Sequence, residues 1–315
     1  MHVFDDKTHS AIYEATVVLL GTAHLKNEDP TSAIEYTALL SSSPDRENTW
    51  NHANCLRSLG RHEEAASYFI AKAPRLKGNL PVANDSCEVG HVGTVCMVKW
   101  GVKYGASYVN RLASALLRHA GGVRVVCFTD DESGVDSGVE CFGLPKGRFK
   151  GWQGWWYKSY LFSPEAAVVL RGGTGEEWAA YVDLDTVVLS KPRWEPEAGA
   201  REFNALRTDE MVNECRRPDG INSSVMVWRV GGSASKVYEL LGPDVHKGIC
   251  KFDHWLELLF PERGYVECAE EYRAVEEGGG PGEGTKALVT FPLRPKPHEC
   301  DVEWVKKAWI GDEER

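Results

Sequence analysis

"AAYVDLDTVVLSKP", residues 179–192, is an apolar run broken by two aspartates one residue apart. Read as one strand from Trp178 to Leu189, it puts Asp183 and Asp185 on one face and turns Leu184 into the core. The two carboxylates then stand about 7 Å apart along the strand. A carboxylate withdrawn from water without a partner is costly, so either a cation or a set of hydrogen bonds must compensate it. Magnesium and manganese take oxygen ligands and commonly join one or two carboxylates to substrate phosphates. A metal–diphosphate is one expected occupant; two turn-capping aspartates at a strand end are the other reading.

On either side the chain alternates between strand-like and helix-like segments. "GTVCMVKWG" (93–101) and "VRVVCFTDD" (123–131) are short apolar strands, and "YVNRLASALLRHAG" (108–121) between them is an amphipathic helix ending at Gly121. "WWYKSYLFS" (155–163) reads as helical, and the segments 171–177 and 276–284 as glycine-rich loops. Strand–helix–strand units of this length predict an α/β fold, a mostly parallel sheet flanked by helices with ligands at the carboxyl ends of the strands. Trp100, Asp130, Asp131, Asp183 and Asp185 all fall at that edge.

The first 80 residues differ, with helical spacing and few strand signals. "DPTSAIEYTALL" offers Asp29 as a cap and Pro30 at the first helical position. The order Trp50, Leu59, Gly60, Ala65, Phe69, Pro74 is similar to a tetratricopeptide repeat. This predicts a small all-α helical-repeat segment at 1–80 before an α/β domain at 81–315. The segment is either a surface for a protein partner or self-association, or a cap on the main domain.

At 315 residues, 43% hydrophobic and 10% aromatic, the chain is that of a globular protein. A net charge of −10 argues against non-specific binding to nucleic acid or to anionic membrane. Nine scattered cysteines without a C-x-x-C pair argue for reduced thiols in a cytoplasmic protein and against a zinc site. The first residues, "MHVFDDKTHS", lack the basic start of a signal peptide, and no run approaches the ~18 apolar residues of a membrane span.

The stretch 94–309 resembles the nucleotide-sugar-dependent glycosyltransferases of the GT-A fold, in the branch of glycogenin and bacterial galactosyltransferases. The resemblance rests on an ordered series: "VKWGVKYGASYVNRL", "CFTDD", "LPKGRFKGWQGWWYKSYLF", "YVDLDTVVL", "NALRTDE", "GINSSVMVW", "DHWL" and "FPLRPKPHE". It implies transfer of a sugar from a nucleoside diphosphate donor, a UDP-sugar by inheritance from these relatives, to a hydroxyl of a glycan, lipid or protein, with retention of configuration and with Mn2+ or Mg2+.

By the same resemblance, Trp100 and Tyr104 meet the nucleobase, Asp130 and Asp131 bond base or ribose, and Lys158 lies between donor and acidic pair. Asn222 and Ser223 wall the sugars, Asp253 grips the donor sugar, and Arg294 and Lys296 take the diphosphate charge. Trp155 and Trp156 are stacking surfaces for sugar or core aromatics. Two positions depart from the pattern. His254 stands where the relatives carry Gln, facing the anomeric carbon. Pro292 stands where they carry a metal-binding His, so either His298 completes a site with Asp183 and Asp185, or the ion holds only those two aspartates, phosphates and water. Removing one of two repelling aspartates, as in Asp185→Asn, is expected to leave the melting temperature unchanged or higher.

Two other classes compete. A sugar nucleotidyltransferase also places acids on a nucleotide-binding sheet, but "KWGVKYG" lacks its glycine-rich basic phosphate loop. A tetratricopeptide-like interaction protein with a degenerate transferase domain is favoured by Pro292 and disfavoured by the retained Asp183, Asp185 and Lys158.

Overall fold

The structure is a computed structural model and describes residues 21, 30–39, 51–53, 55–56, 59, 61–72, 76–80, 82–172, 177–194, 200–209, 211–212, 220–249 and 251–310. The chain forms two compact units. Met1–Val82 joins Leu240–Pro261 in one, and Ala83–Glu239 joins Glu262–Arg315 in the other.

The first unit is helical. Helix Pro30–Leu39 begins at the proline, whose fixed φ suits the first helical position. It buries Ala33 and Thr37, and the Thr37 hydroxyl lies 3.0 Å from His52 Nδ1. Helix His62–Lys72 buries the small Ala65 and packs against helix Pro243–Gly248. In helix Phe252–Leu259 seven of eight residues are buried, and the Leu259 carbonyl accepts the Val82 N–H at 2.9 Å. The signals read at Asp29, Trp50, Gly60 and Pro74, the side chain of Phe69 and residues 173–176 lie outside the described residues.

The second unit is a mixed α/β assembly. Its main sheet has seven strands in the order β3-β2-β1-β4-β7-β6-β8. These are β1 (Val92–Lys99), β2 (Arg124–Thr129), β3 (Glu140–Gly143), β4 (Trp178–Val182), β6 (Phe203–Arg207), β7 (Ile221–Arg229) and β8 (Gly264–Val266). β1 lies parallel to β2 and β4, and β2 to β3, so the carboxyl ends of β1, β2 and β4 share an edge. β7 runs antiparallel to β4 and brings its amino end to the same edge. Of the eight residues in β1, only Gly93 is not buried, as a strand covered on both faces requires.

Helices flank the sheet. In Ala106–Ala120, Tyr108, Val109, Leu112, Ala113, Leu116 and Ala120 make one buried stripe at 3.6-residue spacing. The helix stops at Gly121, whose φ of 47° lies in the left-handed region that glycine tolerates. Helix Pro164–Arg171 starts from Ser163, whose hydroxyl accepts the Ala166 N–H, and stops at left-handed Gly172.

The single strand expected from Trp178 to Leu189 is two strands in two sheets. β4 ends at Val182, and β5 (Thr186–Val188) belongs to a second sheet, β5-β10-β9, with β9 (Ala269–Glu271) and β10 (Leu288–Thr290). Asp183-Leu184-Asp185 is the crossing. The Asp183 N–H donates to the Ser224 carbonyl of β7, and the Asp185 carbonyl accepts the Phe291 N–H just after β10. Leu184 is buried, as the alternation predicts.

Candidate active site

The crossing brings the two aspartates to the shared edge, where each meets one lysine and one tyrosine. Asp183 Oδ2 accepts Lys158 Nζ at 2.8 Å, and Oδ1 accepts the Tyr181 hydroxyl at 2.5 Å. Asp185 Oδ2 accepts Lys296 Nζ at 2.7 Å and the Tyr104 hydroxyl at 2.6 Å. Both pairs are largely buried: the side chains of Asp185 and Lys296 are 9% and 11% exposed, those of Asp183 and Lys158 20% and 12%. Burial, then the adjoining carboxylate, pushes the Tyr104 and Tyr181 phenols far above their ordinary pKa. Both stay protonated and act as donors.

The lysines are also saturated. Lys158 Nζ donates to the Ser223 carbonyl and to Ser223 Oγ, each at 3.1 Å, besides Asp183. Lys296 Nζ donates to the Phe291 carbonyl at 2.5 Å and the Pro292 carbonyl at 3.2 Å, besides Asp185. An ammonium carries three donors, so each has a matched set of three oxygens. Local chain geometry explains the reach. Lys158 projects from a 3₁₀ segment, Gly154–Phe162, and Lys296 follows β10 by six residues.

This donor set does not fit a resident divalent ion. The Oδ2 atoms of both aspartates hold ammonium groups, and Pro292 contributes only a carbonyl, which Lys296 occupies. His298 is exposed and its Nδ1 meets the Tyr108 hydroxyl. Among the described residues no three His, Cys, Asp or Glu side chains gather as metal ligands would. The lysines also reverse the stability expectation for Asp185→Asn. Removing that charge leaves Lys296 buried beside neutral partners rather than relieving repulsion.

Around this centre the other sequence-derived residues divide. Ser223 holds Lys158, and Asn222 Oδ1 accepts the Ser224 N–H at 2.8 Å at the start of β7. Trp100 stacks on Tyr157 with ring centres 5.3 Å apart, and a Cβ at Gly154 would fall 1.4 Å from the Trp100 ring. Only glycine at 154 admits this aromatic shelf. Trp156 is wholly buried core, while Trp155 is 43% exposed. Asp130 and Asp131 are exposed turn residues: Asp130 Oδ2 accepts the Gly101 N–H at 2.9 Å and Asp131 Oδ1 the Ser133 N–H at 3.0 Å. The Ser133 hydrogen bond holds the Asp131 carboxyl below its ordinary pKa.

Arg294 does not join the acidic pair; its side chain is 84% exposed and pairs with Glu299 at 3.0 Å. Asp253 and His254 belong to the helical unit, in the first turn of Phe252–Leu259, where Asp253 is half-buried and His254 buried.

Three residues of the site were not singled out by sequence. Tyr181 lies two before Asp183 and so shares its side of the chain, a signal present in the alternation itself. Tyr157, the base of the Trp100 shelf, sits in an aromatic run that gives no hint of which ring faces where. Lys103, inside "WGVKY", is exposed, with Nζ 4.7 Å from the centre of the Tyr104 ring. Partial desolvation, and then the nearby Lys296 ammonium, lowers its pKa.

No helix among the described residues is long and apolar enough to cross a membrane. No protein-family model matches the chain, and no curated protein matches it. Among solved structures it is similar to the apo form of the glycosyltransferase GlyE of Streptococcus pneumoniae TIGR4, at 13% identity over 70% of this chain, with a TM-score of 0.46. The chain spans 60% of the length of GlyE. It is also similar to the galactosyltransferase LgtC in complex with donor and acceptor sugar analogues, at 10% identity over 68% of this chain and 93% of that one, with a TM-score of 0.44. At TM-scores below 0.5 these likenesses add nothing to the fold that strand order and register establish.

Proposed function

We propose that the chain is a glycosyltransferase that moves a hexose from a nucleoside diphosphate sugar, UDP-linked by preference, to a hydroxyl of a glycan, lipid or protein acceptor. In such a step the bond from the anomeric carbon to the diphosphate oxygen breaks and a bond to the acceptor oxygen forms. The diphosphate oxygen takes the electron pair of the broken bond, and the acceptor hydroxyl's proton passes to the departing diphosphate or to water. Retention of configuration is part of the proposal and is carried by the sequence resemblance.

The observation that supports the reading most is the buried Asp–Lys–Tyr cluster at the carboxyl ends of parallel strands, the side of an open α/β sheet where ligands bind. It stands at the same edge as the aromatic shelf of Trp100 and Tyr157. A flat aromatic surface suits a nucleobase, and the exposed Lys103 ammonium beside Tyr104 suits a diphosphate. Incubation with a panel of sugar nucleotides and detection of released nucleoside diphosphate tests the proposal. Release from one or two members, lost in Lys158→Met, supports it; no release from any member contradicts it.

The ion pairs themselves favour a second reading, an interaction protein whose transferase domain has lost its chemistry. Nucleotide binding in calorimetry, with no release from any sugar nucleotide, selects it over the first.

A further inference from the structure

Two acids at a ligand-binding edge would ordinarily call for a cation, yet this cluster is complete without one. Lys158 and Lys296 each stand where a cation would, against an aspartate Oδ2 and two further protein oxygens. A third lysine, Lys103, stands against the Tyr104 ring, whose hydroxyl bonds Asp185. Among the described residues Lys103 makes no hydrogen bond and no ion pair, and its one contact of this kind is with the face of the Tyr104 ring. It sits on the exposed turn after β1, beside the fully exposed Val102. An approaching divalent ion must displace an ammonium to reach either Oδ2. An approaching anion meets an available ammonium.

We propose that this edge binds a diphosphate without a divalent ion: Lys158 and Lys296 are built-in counter-ions of the acidic pair, and Lys103 is the ammonium that contacts the ligand. The inference rests on the reading of the edge as a sugar-nucleotide site and replaces the expected manganese with lysine. It also accounts for Pro292. With Lys296 between Asp185 and the Pro292 carbonyl, a third metal ligand at that position has nothing to hold.

The test is calorimetric titration of the full chain with inorganic pyrophosphate and with UDP, each in EDTA and in excess Mn2+. Equal dissociation constants in the two buffers, within about threefold, are expected. Lys103→Met weakens both ligands by about tenfold or more, the loss of one charge-assisted contact. Mn2+ alone leaves the melting temperature of the wild type unchanged, whereas Lys158→Met, which uncovers Asp183, gains a Mn2+-dependent rise. Binding only in Mn2+ overturns the inference and leaves the proposed function standing. Metal-free binding of both ligands without nucleotide release from any sugar nucleotide does the reverse. Binding in neither buffer overturns both.

Discussion

Two acidic corners sit at the carboxyl ends of β2 and β4, which flank β1 in one sheet, and they are built in opposite ways. Asp130 and Asp131, after β2, are exposed and accept backbone N–H groups of adjoining turns. Asp183 and Asp185, after β4, lie inside, each with a lysine and a tyrosine. The residue type and the edge are the same; the difference is access to water. An exposed carboxylate needs no more than a turn to cap, whereas a buried one must bring its counter-charge with it.

The contrast can be broken most severely at Lys296. Lys296→Met leaves Asp185 buried with only neutral donors, and should cost about 3–5 kcal/mol in chemical denaturation. A loss no larger than that of an exposed lysine would make the pair incidental. Lys158→Met should cost less, about 1.5–3 kcal/mol, because Asp183 is more exposed than Asp185.

Glu271 sharpens the comparison from a third side. It is buried, its Oε2 accepts the Val212 N–H at 2.7 Å, and burial raises its pKa. The folded state then holds this proton more tightly than the unfolded chain, and stability falls as pH rises from the ordinary carboxylate range through the raised value. Glu271→Gln should flatten that fall, by less than either lysine variant changes stability, and pH-dependent thermal melts of the two proteins read it directly. The smallest effect belongs to Asp130→Ala, which removes one exposed hydrogen bond and should stay within about 0.5 kcal/mol of the wild type.

Much of this architecture was legible in the sequence. The apolar strand runs and the stripe of Ala106–Ala120 follow from local pattern, and the edge that gathers Trp100, Asp130 and Asp183 follows from parallel topology. The break at Asp183 was not legible. Thr186-Val187-Val188 continues the apolar pattern, and local periodicity does not record that the hydrogen-bonding partner changes from β7 to β10. The compensation of the acidic pair was hidden for a related reason. Asp185 and Lys296 are 111 residues apart, and only the fold shows that one answers the other's charge. The resemblance brought both residues to the site but assigned Lys296 to the ligand and Asp185 to a metal, where the structure joins them to each other.

The most direct measurement of the central claim is a double-mutant cycle on that pair, by chemical denaturation of wild type, Asp185→Asn, Lys296→Met and the double variant. If lysine is the counter-ion of the buried aspartate, the double variant is more stable than the sum of the single losses predicts, by about 1.5 kcal/mol or more. Losses that add within about 0.5 kcal/mol would show two side chains that are neighbours without being partners, and would contradict it.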